Sequence, residues 1–317
     1  MLPEASNSSG SSATPKPSDN ALKRRVLVPL DGSSLAAKAV PIAEYLCRQL
    51  AAELDLVIVL PTLVLPPVVG QEYVPAEVYQ QIEEQQRQDA RAHLDRVAAD
   101  VRQQGVGTAV HEHLARGNTA AEVLDLAAQL RPTLIVMTTH GRTGLARFAL
   151  GSVADRVVRG GKAPVLLLRS FPSPRHGPSL AHALVPLDGS PLAESPLFSI
   201  VLQLAGPVLR SITLLRVADP RDGIEGRLAA ETYLAAVQQR VLERLEGRDC
   251  HVTSRLRVGR NPAQCIMDCA EEEEECDLVL MSTHGEAGIG RLAFGGVTDR
   301  VLRDGQTPLL LVHPPKQ

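Results

Sequence analysis

The stretch that decides the fold is Arg25-Val-Leu-Val-Pro-Leu-Asp-Gly-Ser33, a short aliphatic run that ends in a carboxylate, a glycine and a hydroxyl. It recurs as Ala183-Leu-Val-Pro-Leu-Asp-Gly-Ser190, which places Asp188 157 positions after Asp31. An aliphatic run of this length followed by turn residues is typical of a buried strand. The recurrence indicates that the chain contains two copies of one domain.

A second pair of matching segments supports the repeat. Leu134-Ile-Val-Met-Thr-Thr-His-Gly141 and Leu278-Val-Leu-Met-Ser-Thr-His-Gly285 are 144 positions apart. The second copy is therefore shorter between these two matching segments. We place the difference in length in the loop after the second strand. In the first copy this predicted loop is residues 61–79, from Pro61 to Tyr79. Its role stays open between a lid over a site and a loop of variable length.

The repeat divides the chain into a tail at 1–23, a first domain at 24–170, a linker at 171–179 and a second domain at 180–314. The tail is rich in Ser, Pro, Asn and Gly and lacks the apolar core of a signal peptide. We expect it to be disordered. Because the rest of the sequence has no apolar run of about 18 residues, we expect a cytoplasmic protein.

Each copy alternates short apolar runs with helical periodicity, which predicts an α/β fold with a five-stranded parallel sheet and helices on both faces. The strands predicted in the first copy are Val26–Leu30, Leu54–Leu60, Val110–Leu114, Leu134–Met137 and Val165–Leu168. The helical stripe from Ala36 to Leu50 contains Pro41, which should kink it. Further helices are predicted at 121–130 and 153–158, with counterparts at 262–274 and 297–302. The apolar final strands, 165–168 and 309–312, are expected to pair the two domains with each other, and a homodimer is a further possibility.

Composition excludes several classes of function. The 317 residues carry a formal net charge of -3, and aromatic residues make up 3% of the chain, with no Trp. A nucleic-acid surface and a membrane belt both lack the side chains that they need. The five cysteines lack a Cys-x-x-Cys pair, so we interpret them as reduced thiols. Cys265 and Cys269 are four apart on a predicted helix, and core packing is favoured over a metal site.

The candidate site lies where parallel strands end, because loops at that edge leave a crevice for ligands. Asp31 ends the first strand and offers a carboxylate to a ribose or a base, although a plain helix cap is an equal alternative. The fourth strand runs into His140-Gly-Arg-Thr-Gly144, followed by Gly151-Ser152-Val153 at the start of the last helix. The helix amides, with Arg142 and Ser152, favour an anion such as phosphate. We interpret His140 as an ordinary loop residue. The glycines alone are also compatible with a simple turn.

These motifs resemble the tandem (UspA-like) universal stress protein family. The resemblance rests on Val-Pro-Leu-Asp-Gly-Ser, on Met-Thr-Thr-His-Gly-Arg-Thr-Gly, on Gly-Ser-Val-Ala-Asp-Arg-Val and on the final Pro-Val-Leu-Leu-Leu strand. It covers both copies. It implies a Rossmann-like fold of the adenine nucleotide alpha hydrolase type and, as in many members, ATP as the ligand, with or without Mg²⁺. Other members lack nucleotide.

The family's ATP pattern is Gly, two residues, Gly, nine residues, Gly, then Ser or Thr. In the first copy it falls on Thr138, Gly141, Gly151 and Ser152, so that threonine replaces the first glycine. The resemblance also places Asp31 and Val59 near adenine and ribose.

In the second copy the pattern falls on Ser282, Gly285, Gly295 and Gly296, so the first glycine and the closing hydroxyl are lost. Glu286 replaces Arg142, and a carboxylate there repels phosphate. Asp188 and Val217 keep the adenosine positions. We therefore expect weaker binding, or a structural role, in the second domain.

Three functions remain open. The favoured one is a nucleotide-binding stress-response or signalling protein that binds rather than catalyses, because no general base or nucleophile relay accompanies the loop, although slow ATP hydrolysis stays open. The second is an interaction scaffold whose nucleotide site has decayed. The third, an enzyme of the α-hydrolase-like group, is disfavoured because Asp31-Gly-Ser-Ser is not the Ser-Gly-Gly type of loop that such enzymes carry.

Overall fold

The structure is a computed structural model that describes residues 23–62, 76–104, 107–139, 150–169, 180–272, 276–283 and 294–313. The predicted linker and all of the predicted tail except residue 23 lie outside these ranges. The first half contains β1 (Arg25–Leu30), α1 (Ser34–Ala37), α2 (Ala39–Leu50), β2 (Glu53–Leu60), α3 (Ala76–Gln103), β3 (Val110–Arg116), α4 (Thr119–Leu130), β4 (Leu134–Thr138), α5 (Ser152–Gly160) and β5 (Val165–Leu168).

The second half repeats this order with small changes. It contains β6 (His182–Leu187), α6 (Pro191–Pro196), α7 (Leu202–Leu204), β7 (Ser211–Ala218), α8 (Gly223–Arg244), β8 (His251–Val258), α9 (Pro262–Glu272), β9 (Leu278–Ser282), α10 (Gly296–Asp304) and β10 (Leu309–Val312). A π-helical segment, Leu197–Val201, joins α6 to α7, and a 3₁₀ turn, Pro220–Asp222, precedes α8.

Within the described ranges, ten strands form one sheet in the order β3-β2-β1-β4-β5-β10-β9-β6-β7-β8. Strands within each half are parallel, and β5 pairs with β10 antiparallel, with Leu166 opposite Leu310. The fold class predicted from the sequence is confirmed, and so is the pairing of the two final strands. Because β1 lies between β2 and β4, the winding of the first half reverses between β1 and β4.

Two predicted elements differ from the structure. The strand predicted at 110–114 is β3, which lies at the sheet edge and is half-buried. A strand predicted among the apolar runs of a parallel sheet would be buried on both faces, whereas this edge strand is covered on fewer sides. The loop predicted to run to Tyr79 ends sooner, since α3 begins at Ala76. Glu, Gln and Ala residues favour helix at that point, and Pro75 before the first turn is compatible with a helix start.

The length difference between the copies is therefore partly helical. Helix α3 has 28 residues, whereas its counterpart α8 has 22. The predicted kink near Pro41 is confirmed, because α1 ends at Ala37 and α2 starts at Ala39. Proline has no N–H to donate to the carbonyl four residues earlier, and its ring crowds that carbonyl.

The helices cover the sheet on both faces. Buried residues of α2 and α3, such as Ala43 and Leu94, pack on one face, and those of α4 and α5, such as Val123 and Val157, pack on the other. The carboxyl ends of β1 and β2 therefore open between α3 on one side and α5 on the other.

The residues that follow β5 and β10 join the halves reciprocally. The half-buried Arg169 donates to the carbonyls of Leu302 (2.6 Å), Val301 (2.9 Å) and Thr307 (3.3 Å), at and after the end of α10. Its counterpart 144 positions later, His313, bonds through Nε2 to the Val158 carbonyl in the last turn of α5. Burial lowers the pKa of Arg169 to about 10, so its guanidinium is still charged at neutral pH.

Candidate functional site

The first half carries a cleft at the carboxyl ends of β1 and β2. Its volume is about 700 Å³, and Asp31, Val59, Thr119 and Val153 contribute to its wall. The cleft adjoins the point between β1 and β4 where the winding of the sheet reverses, because Val153 follows β4. Ligands usually bind at such a point in open α/β sheets. The structure thus brings together three residues predicted from the sequence, namely Asp31, Val59 and Val153, and adds Thr119 at the start of α4.

Local hydrogen bonds fix the Asp31 carboxylate at the mouth of the cleft. Its Oδ1 accepts from the backbone N–H of Ser33 at 2.9 Å, and Gly32 between them has a φ of 82°. The residue that caps the helix is Ser33, whose Oγ accepts from the Ala36 N–H at 3.1 Å. The alternative of a plain helix cap at Asp31 is therefore wrong, because the chain reaches helical geometry only after Ser33. The glycine permits the tight turn that aims the carboxylate at the cleft.

The amino-terminal end of α5 lies beside the end of β4. The N–H of Gly151 donates to the Thr139 carbonyl at 2.8 Å, and Thr138 is the last, buried residue of β4. Gly151 is the N-cap, Ser152 is exposed, and Val153 lines the cleft. The first N–H groups of a helix have no partner within that helix and carry the positive end of its dipole. This end of the cleft is therefore suited to an anion.

The predicted glycine-rich loops fall in parts of the chain that are not described. His140, Gly141, Arg142 and Gly144 of the first copy lie outside the described residues. The same is true of Gly285 and Glu286 in the second copy. The described part of each site consists of the strand ends and helix starts on either side of these loops.

The second half has a smaller cleft of about 190 Å³ at the ends of β6 and β7, which correspond to β1 and β2, and it extends to the end of β9 and the start of α10. Asp188, Val217, Ser282, Gly295 and Gly296 contribute to its wall, as the repeat predicts. In this turn, Oδ1 of Asp188 accepts from both the N–H (2.9 Å) and the Oγ (2.6 Å) of Ser190.

Arg216 narrows this second cleft. It lies opposite Leu187 in the strand register, where Ile58 lies opposite Leu30 in the first copy. Its Nη1 donates to the Leu187 carbonyl at 3.2 Å, and its guanidinium lies 6.0 Å from the ring centre of Tyr233. The Tyr233 hydroxyl donates to Glu194 at 3.0 Å. Burial, followed by the Glu194 bond, raises the pKa of Tyr233, so the hydroxyl stays protonated.

Sequence reasoning missed the contribution of α3 to the first cleft. Gln86, Asp89, His93 and Arg96 of this helix line the cleft. The spacing of three, four and three residues puts them on one face of the helix. A polar stripe at helical spacing was the available signal, but only the packing of α3 shows that the stripe faces a cavity.

Other predicted features have no part in the cleft. Cys265 is half-buried and Cys269 is buried in α9. Among the described residues, no group of three or more His, Cys, Asp or Glu side chains is placed to hold a metal ion. Across the same ranges, no helix combines the length and the apolar character needed to cross a membrane.

Comparisons with known proteins agree with the repeat. The family model described as the universal stress protein family matches residues 23–169 and again 180–313. A universal stress protein of Methanocaldococcus jannaschii is 32% identical over 149 residues, which are 47% of this chain and 83% of that protein. One from Mycobacterium bovis is 25% identical over 314 residues, covering 92% of this chain and 95% of the relative. The crystal structure of a universal stress protein from Archaeoglobus fulgidus aligns with a TM-score of 0.69 at 18% identity, covering 92% of this chain and 98% of that one.

Proposed function

Since the chain belongs to the universal stress protein family, we propose that it is a stress-response or signalling protein that binds an adenine nucleotide, with the first domain as the principal site. ATP, with or without Mg²⁺, is the proposed ligand. The second domain binds more weakly or serves as a structural partner. The protein acts by binding rather than by fast turnover.

The observation that carries this proposal is the cleft of about 700 Å³ at the carboxyl ends of β1 and β2. Two kinds of group face it from opposite sides. The start of α5 offers amides suited to phosphate, and Asp31 offers a carboxylate suited to ribose hydroxyls or a base amine. A nucleotide carries both partners in one molecule, separated by its sugar.

A smaller cleft supports the weaker role of the second domain. Its volume is about 190 Å³, and the long Arg216 lines it at the strand position that Ile58 holds in the first copy. Drug-sized ligands bind in cavities of about 300–1,000 Å³. The second cleft is below this range, whereas the first is within it.

A matched pair of variants tests the assignment. Asp31→Asn and Asp188→Asn each keep an oxygen that can accept the turn bond, and each removes one carboxylate charge. We expect Asp31→Asn to weaken ATP binding about 10- to 100-fold, the value of a charge-assisted hydrogen bond. We expect Asp188→Asn to leave the main binding event unchanged, as measured by calorimetry on nucleotide-free protein.

The opposite pattern, with the loss confined to Asp188→Asn, would move the principal site to the second domain. Absence of binding at millimolar ATP, in protein shown to carry no nucleotide, would reject the proposal in favour of an interaction scaffold. The replacement of the family's first glycine by Thr138 is the feature that favours that alternative.

A further inference from the structure

We propose that helix α3 forms a base-recognition wall in the first domain, in which Gln86 and His93 hydrogen-bond the polar edge of the ligand's purine base. This inference rests on the proposed nucleotide function and deepens it. The strand ends and the start of α5 face the sugar and the phosphates, and α3 supplies the remaining specificity.

Two polar side-chain atoms of α3 lack hydrogen-bond partners at the cleft within the described part of the chain. Oε1 of Gln86 and Nε2 of His93 are buried, and neither has a hydrogen-bond partner among the residues that the structure describes. Both side chains line the cleft. A buried polar group without a hydrogen-bond partner is unfavourable, so such groups are rare unless a ligand or water completes them. Two of them, seven residues apart on one helix and facing one cavity, indicate that a ligand completes them.

Helix α3 lies where the base of a bound nucleotide would reach. Helix α3 packs on the opposite face of the sheet from α5, and both reach the same cleft. A ligand whose phosphates lie at the amides of α5 crosses the ends of β1 and β2 beside Asp31. Its far end then meets α3. In a nucleotide that far end is the base.

The hydrogen-bonding groups of Gln86 and His93 match those of a purine base. An aminopurine presents an exocyclic N–H donor beside ring nitrogens that accept. The Gln86 carboxamide accepts through Oε1 and donates through Nε2, and a neutral histidine protonated at Nε2 donates there. The wall therefore complements a base that both donates and accepts along one edge.

Helix α8 of the second copy lacks the two residues that form this wall. The buried residues Ala90, Leu94 and Val101 of α3 have counterparts 140 positions later in Ala230, Leu234 and Val241 of α8. The same spacing places Gly226 at the position of Gln86 and Tyr233 at that of His93. One counterpart has no side chain, and the hydroxyl of the other is already bonded to Glu194. The domain with the narrow cleft thus lacks both recognition groups.

The test uses the full-length protein and two probes, ATP and inorganic tripolyphosphate, which has no base. Binding is measured by calorimetry for the wild type, for Gln86→Leu, for His93→Leu and for the double variant. Gln81→Leu, an exposed position on the same helix, and His251→Leu, an exposed position on β8, are the matched controls. Circular dichroism verifies that each variant is folded.

We expect the double variant to bind ATP about 10- to 100-fold more weakly, with tripolyphosphate binding and both controls unchanged. An unchanged ATP affinity in the folded double variant overturns the inference while the proposed function stands. Equal losses for ATP and tripolyphosphate also overturn it, because the two residues would then act on the phosphates. If the wild type binds no ATP, the proposed function fails and the inference fails with it.

Discussion

The two clefts of this chain start from the same sequence motif and end with different shapes. Asp31 and Asp188 occupy the same turn, yet the first cleft measures about 700 Å³ and the second about 190 Å³. The surroundings of the turn differ in neighbouring elements rather than in the motif itself. An isoleucine becomes Arg216 on the adjacent strand, and a histidine becomes Tyr233 on the covering helix. A repeated turn therefore preserves the framework of a site, while the residues packed around it decide whether a ligand fits.

The interdomain contacts show a comparable asymmetry, and they give the largest expected effect. Arg169 bonds to three carbonyls around the end of α10, whereas His313 reaches one carbonyl of α5. We expect Arg169→Ala to lower the free energy of unfolding by about 3 kcal/mol, because it removes three hydrogen bonds that a charged, half-buried guanidinium donates. We expect His313→Ala to cost about 1–2 kcal/mol by the same reasoning.

Urea denaturation followed by circular dichroism measures both values. Arg156→Ala, at an exposed position of α5, is the control and should change the free energy of unfolding little. Equal losses of unfolding free energy for Arg169→Ala and His313→Ala would show that the two contacts contribute equally to stability. That result would contradict the asymmetry inferred from the hydrogen bonds.

An exchange of the residues beside the turn gives the next largest effect. We expect Ile58→Arg to weaken ATP binding by about tenfold or more, because a guanidinium would occupy the first cleft as Arg216 occupies the second. The reciprocal Arg216→Ile should widen the second cleft and raise the stoichiometry of ATP binding toward two per chain. Calorimetry measures both quantities.

Ile58→Val is the matched control for this exchange, since it keeps a small apolar wall. If Ile58→Arg bound ATP as tightly as the control, the width of the cleft would not explain the difference between the copies. The glycine-rich loops would then carry that difference.

The smallest expected effect concerns a buried acid in the first copy. Glu44 of α2 is buried, and Val201 lies 157 positions later, the spacing that separates Asp31 from Asp188. Burial raises the pKa of the Glu44 carboxyl. The folded protein therefore holds this proton more tightly than the unfolded chain does, and wild-type stability falls as pH rises from the ordinary carboxyl pKa through the raised one.

We expect Glu44→Val to increase the free energy of unfolding by about 1 kcal/mol at neutral pH, and Glu44→Gln to remove the decrease between acid and neutral pH. Urea denaturation at a series of pH values checks both results, with Glu77→Gln at an exposed position of α3 as the control. A Glu44→Gln protein that retained the full pH dependence would assign that dependence to other groups.

Much of the fold was predictable because its signals are local. The aliphatic runs around Val28 and Leu166 and the turn at Asp31-Gly32-Ser33 specify strands and their ends through short-range chemistry. The recurrence of these runs showed the duplication, and the break beside Pro41 followed from a missing N–H. The end of the predicted loop at Tyr79 was wrong, because helix starts depend on weak preferences that a single sequence specifies poorly.

The sequence by itself determined the repeated α/β framework, the positions of Asp31 and Val59 at one edge of the sheet, and the apolar strands that join the halves. Only the tertiary structure decided which side chains face the cleft from other elements. Gln86 and His93 reach it because α3 packs against β2 and β3, and Arg216 lines its counterpart because β7 lies beside β6. Strand and turn formation depend on neighbours in the sequence, whereas the wall of a cleft is assembled from residues that only folding brings together.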